Sequence, residues 1–115
     1  MRDLNRQEFV REFEKVDALV TPTSPSPALK LGDKTTDPLQ MYLADIFTNA
    51  ANLAGICGIS VPCGFAQSKN GKTLPIGLQL LGKALDEARI FQIAHAYEQS
   101  TDWHKARPVI EPITA

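Results

Sequence analysis

The sequence predicts an α/β fold, a β-sheet with helices packed on both of its faces. Two patterns carry that expectation. Segments with apolar residues at helical spacing alternate along the chain with β-branched, glycine-bounded runs, "GISVPCGF" and "LPIGLQLLGK". Those runs are apolar at nearly every position, where a sheet wetted on one side would alternate, so helices should cover both faces, which three helices in a chain of this length can do only in part. Between them "AQSKNGKT" holds Asn70 and Gly71, a strong hairpin signal that makes the two runs antiparallel neighbours.

Composition sets the frame for this fold. The chain has 115 residues, 43% hydrophobic and 22% charged, with a net charge of −1, which is ordinary for a folded protein and allows one domain, 1–115, at most. A chain of this length buries roughly two-thirds of its unfolded surface, so its core is thin and its stability alone marginal. Lys and Arg are scattered in ones and twos, without the basic stripe that neutralises phosphates. Direct nucleic-acid binding is therefore not expected. No apolar run approaches the ~20 residues of a membrane span, and "MRDLNRQEFV" is charged where a signal peptide is apolar, so the expected location is cytoplasmic, or an organelle matrix.

The elements follow in order. Asn5 and Glu8 resemble a capping box, and Phe9, Val10, Phe13 and Val16 repeat at helical spacing, so the chain opens with an amphipathic helix. "DALVTP" is a brief buried strand, closed by Pro22. "TPTSPSPALKLGDKTTD" can continue neither helix nor ladder and forms a long loop, either lining a cleft or running through solvent. Asp37 then caps a helix with Pro38 at its first position, and Leu39, Tyr42, Leu43, Ile46, Ala50, Leu53 and Ala54 form an apolar stripe running toward Gly55. Met41, Asp45, Thr48 and Asn52 fall on a second, polar stripe about 120° away. Gly58, Gly64, Gly77 and Gly82, with Pro62, mark bulges or close backbone approach in the strands. A last helix starts at Asp86 with Ile90, Phe91, Ala94 and Tyr97 on its buried face, and Trp103 pins the tail to the body.

Reactive groups are sparse. Cys57 and Cys63 lie six positions apart without zinc-ribbon spacing, and His95 and His104 are remote, so the cysteines are expected as small buried hydrophobes and no metal site is expected. Ser60 in "GISVP" lacks the second glycine of a nucleophile elbow. His95 has no indicated partner carboxylate or nucleophile.

The order of the segments "VDALVTPTSP", "DPLQMYLADIFT", "NLAGICGISVPCGF", "LPIGLQLLGK" and "DEARIFQIAHAYEQSTDWH" resembles the C-terminal part of the amidase signature family. "DPLQMYLAD" with "YEQSTDWHK" points to its branch of glutamyl-tRNA(Gln) amidotransferase A subunits. The resemblance runs from Asp17 to Pro108 and implies a central mixed sheet flanked by helices on both faces.

In function it implies a glutaminase, in which a serine nucleophile, a second serine and a lysine hydrolyse the side-chain amide of glutamine. Ammonia then passes to a partner that activates Glu-tRNA(Gln) with ATP and Mg²⁺. Subunits B and C are the implied partners, with tRNA held mainly through them and no cofactor in this chain. The serines and lysine of the family belong to an upstream segment, and none of Ser24, Ser26, Ser60, Ser68 or Ser100 stands in a matching motif, so no catalytic residue is assigned. One role carries over: Asp45, the aspartate of "MYLAD", is implied to bind the α-ammonium of glutamine. Where the family commonly has prolines, after the helix threonine and in the turn that follows, this chain has Asn49, Ala50 and Cys57, which permit a longer helix and a looser turn. The alternatives are an inactive remnant or interaction module of the family, and the tail of a general amidase.

Overall fold

The computed structural model describes residues 2–32, 37–68 and 70–110. Residues 33–36 of the long loop, Lys69 of the hairpin connection and the end of the chain, 111–115, lie outside the described residues. Helix α1 spans Arg2–Glu12, strand β1 Leu19–Pro22, helices α2 and α3 Pro38–Ala44 and Asn49–Ala54, strands β2 and β3 Cys57–Gln67 and Thr73–Gly82, and helix α4 Glu87–Ser100. A short 3₁₀ turn, Trp103–Lys105, follows.

The described strands form one sheet in the order β1-β3-β2, antiparallel throughout. The described strands do not form the implied mixed sheet: the hairpin fixes β2 and β3 as antiparallel neighbours, and β1 also pairs antiparallel with β3. The hairpin forms where Asn70-Gly71 predicts it: Gly71 takes φ +74°, its amide donates to Ser68 O at 2.9 Å, and Ser68 N donates to Lys72 O at 2.7 Å. The register slips between Pro62 and Gly64, a bulge at the proline that cannot donate to the ladder.

One sheet face carries the core. Val61 and Leu80 meet Ile90 and Ala94 of α4, with Ile59, Leu78, Ile93 and Tyr97 packed around them. Phe91 is not part of this face but 63% exposed, since residues 90, 93, 94 and 97 complete the i, i+3, i+4, i+7 stripe and position 91 is rotated ~100° from it. Trp103 stands edge-on to Phe65 of β2 with ring centroids 6.0 Å apart, holding the segment after α4 against the sheet. On the opposite face Gly58 lies under Ala51 of α3, and Gly58, Ser60 and Pro62 remain exposed. Coverage of the second face is therefore partial, as expected for three helices in a chain of this length: α3 touches only one end of it.

Two helices also depart from expectation. Helix α1 begins at Arg2, so Asn5 and Glu8 lie inside it rather than capping it, and Val16 lies beyond its end. Arg2 and Leu4 favour helix upstream of Asn5, and Asp3 suits the positive helix start. Only Phe13 of its stripe is buried, with Phe9 stacked on it at 6.2 Å and Val10 exposed. The single helix expected from Pro38 to Gly55 is two, broken over 45–48, where Asp45, Ile46 and Thr48 amides reach carbonyls only three residues back. The replaced prolines do not produce a longer helix. Its apolar stripe is mostly exposed, at Leu39, Tyr42, Leu43, Ile46 and Leu53, with Ala54 buried. The predicted cap at Asp37 does form, its Oδ1 accepting from Leu39 N and Gln40 N at 3.0 and 3.4 Å, and α3 closes at Gly55 as predicted.

Candidate functional site

The proline-rich loop after β1 lines a cleft, as one of the two expectations for it had it. Residues 22–29 and the outer parts of β2 and β3 enclose a largely apolar cavity of about 690 Å³, with Ala44 at the end of α2 on its border. Its polar groups converge on β3. Thr23 extends the ladder past β1, its N–H donating to Gly77 O at 3.3 Å, and its hydroxyl lies 2.6 Å from that of Ser60 on β2.

The two hydroxyls meet over the central strand because Gly77 has no side chain. A Cβ there would stand 2.6 Å from Ser60 Oγ and 2.9 Å from Thr23 Oγ1, closer than any real contact. One residue pair along, Thr21, Gln79 and Ser60 form a cross-strand row. Gln79 is buried, and its Nε2 donates to Thr21 Oγ1 at 2.8 Å and to Phe47 O, in the turn between α2 and α3, at 3.0 Å.

Asp45 sits on that same turn, at the C-terminus of α2, between Ala44 on the cavity border and Phe47 tied to Gln79. Its main chain is fixed: the carbonyl accepts from Thr48 N, Asn49 N and Thr48 Oγ1 at 3.1, 3.0 and 3.1 Å. Its carboxylate is exposed and bonds to no described side chain, and the last turn of α2 holds no basic residue. A negative charge at the carbonyl end of a helix is uncompensated there and draws in a cation, so the spot suits an ammonium group.

Among the described residues no base stands beside a nucleophile. Ser60 shares its proton with another neutral hydroxyl, which cannot serve as the base a nucleophilic serine requires. Cys57 and Cys63 are half-buried free thiols directed at the carbonyls of Lys83 and Ile76, at 2.9 and 3.7 Å. His95 is exposed on α4. Of these residues the sequence singled out Asp45, and not Thr21, Thr23 or Gln79. The one signal for them was a lone glutamine inside the apolar run "LPIGLQLLG".

Known proteins match this chain closely. The model of the amidase family, described as "Amidase", matches residues 1–91. The A subunit of glutamyl-tRNA(Gln) amidotransferase from Thermodesulfovibrio yellowstonii is 58% identical over 110 residues, 96% of this chain and 22% of that protein. The same protein from Microcystis aeruginosa is 56% identical over 94% of this chain and 22% of its own length. The crystal structure of peptide amidase from Stenotrophomonas maltophilia superposes with a TM-score of 0.60 at 27% identity, over 98% of this chain and 21% of that one. The chain thus spans about a fifth of the length of the relatives it matches. With more than half its length matched by the family model and its fold superposing on a solved amidase, the chain belongs to the amidase family.

Proposed function

We propose that this chain is the C-terminal portion of the glutaminase subunit of a glutamyl-tRNA(Gln) amidotransferase, and that Asp45 receives the α-ammonium of glutamine in its cleft. The observation that carries the proposal is identity above half, over nearly the whole chain, to amidotransferase A subunits. The site supports it: Asp45, whose carboxylate is exposed with no basic residue in the last turn of α2, is adjacent in sequence to Ala44 on the border of a largely apolar cavity that carries a few hydroxyls. In the complete subunit the sheet would gain further strands and become mixed, and the exposed stripe of α2 would be covered.

The division of labour follows from the residues present. This chain would bind and orient the amino-acid end of glutamine, while a serine nucleophile, a second serine and a lysine from the remainder of the subunit cleave the amide. The ammonia released would pass to subunits B and C, where ATP and Mg²⁺ serve the activation of Glu-tRNA(Gln). Among the described residues no helix is long and apolar enough to cross a membrane.

A charge-assisted hydrogen bond of this kind contributes about 1.5–3 kcal/mol, which corresponds to tenfold or more in affinity. In the assembled enzyme containing this chain, Asp45→Ala is expected to raise KM for glutamine about tenfold or more with a smaller change in kcat, and Asp45→Asn to recover part of the loss. An unchanged KM overturns the role of Asp45. Purification of the native assembly supplies the companion test, and a 12.6 kDa chain that brings down no protein bearing the serines and lysine would favour the inactive remnant instead.

A further inference from the structure

We infer that Gln79 is a positioning residue for glutamine binding: its buried amide ties the turn carrying Asp45 to the sheet and so fixes where the carboxylate stands. The inference rests on the ammonium-binding role proposed for Asp45. Gln79 lies on the central strand and is 5% exposed. Burying an amide costs free energy unless its hydrogen bonds are made, and an apolar residue would continue the run "LPIGLQLLG" without that cost.

The bonds it makes are directional. Phe47 O can only accept, so the amide nitrogen faces the turn, and its second hydrogen goes to Thr21 Oγ1. Thr21, accepting there, sends its own proton to Pro22 O at 3.0 Å. From β3 the amide therefore donates both ways, to β1 and to a carbonyl 32 residues away in sequence. Within the turn the three bonds to Asp45 O bind 45–49 into one unit. Holding Phe47 holds Asp45.

The helices leave this turn otherwise lightly held. Leu43 and Ile46 on either side of Asp45 are exposed and Phe47 is half-buried, so apolar contact holds the turn only in part, and the amide bond adds a directional tie from the sheet. A carboxylate fixed before the ligand arrives spares the ordering cost on binding, and a displacement of about an ångström would lose the ammonium geometry.

The test is kinetic and uses the assembled enzyme. Gln79→Met keeps length and volume but offers no donor, so KM for glutamine should rise about fivefold or more, with a smaller change in kcat. The double variant Asp45→Ala/Gln79→Met should have a KM no higher than Asp45→Ala alone, because the brace acts only through Asp45. If Asp45→Ala raises KM while Gln79→Met does not, or if the two effects multiply in full, the inference fails and the role of Asp45 stands. If Asp45→Ala leaves KM unchanged, both fail. Should Gln79→Met prevent assembly, Gln79→Leu also removes the donor to Phe47 O with a smaller apolar side chain, and the same comparison with Asp45→Ala decides.

Discussion

A methyl group added at position 82 would stand 2.5 Å from both Cγ1 and Cδ1 of Ile90 and 3.1 Å from the Cys57 sulfur. Ile90 is the buried anchor of α4, so the missing side chain at Gly82 sets how closely that helix lies on the sheet. Gly82→Ala should lower the stability of the assembled protein by about 1–3 kcal/mol in urea unfolding. Adding Ile90→Ala removes the obstructing atoms, so the double variant should lose less than the sum of the single losses. Strict additivity would show that α4 does not rest on Gly82. Both Gly82 and Gly77 were legible as close-approach positions because a glycine inside a strand has few other uses. The hydroxyl pair above Gly77 was not legible, since Thr23 and Ser60 are 37 residues apart and only the strand order brings them together.

At the scale of elements, local chemistry was read more accurately than tertiary contact. The Asp37 cap, the Gly71 hairpin and the Gly55 helix end each depend on a few adjacent residues, and each forms as expected. The break between α2 and α3 was hidden because apolar spacing continues straight through it, while the bonds that make it are short-range, to the carbonyls of Tyr42, Leu43 and Asp45. The burial of α2 was misjudged for a different reason: a helical stripe reports that something must cover it, not that this chain does. The cap itself is testable. Asp37→Ala leaves the amides of Leu39 and Gln40 without their acceptor and should destabilise α2 by about 0.5–2 kcal/mol. Hydrogen exchange over 38–44 should accelerate accordingly while exchange in α4 stays the same. Unchanged exchange over 38–44 would mean that the cap does not hold the helix.

The whole molecule exposes more surface than a protein of its mass should keep. A folded monomer of 12.6 kDa is expected to present about 6,200 Å², and this chain presents 8965 Å². Its radius of gyration is 16.8 Å, against the roughly 13 Å of a compact domain of this length. The excess has an address. Leu39, Tyr42 and Ile46 stand in solvent on α2 and the turn after it, Phe91 on α4, and both outer edges of the sheet, on β1 and β2, are unpaired among the described residues. Open edges and apolar patches of this kind promote association between chains. The 115-residue chain alone should therefore self-associate and bind a hydrophobic dye. In light scattering after size-exclusion chromatography it should run above 12.6 kDa, and its thermal transition should be broad. Supplying the remaining part of an amidase chain in trans should convert it to a one-to-one complex with reduced dye binding, because the same surfaces are then buried. A monodisperse monomer that melts cooperatively would show instead that the chain is a self-sufficient domain, and its exposed apolar face would then belong to its own surface rather than to the interior of a larger amidase.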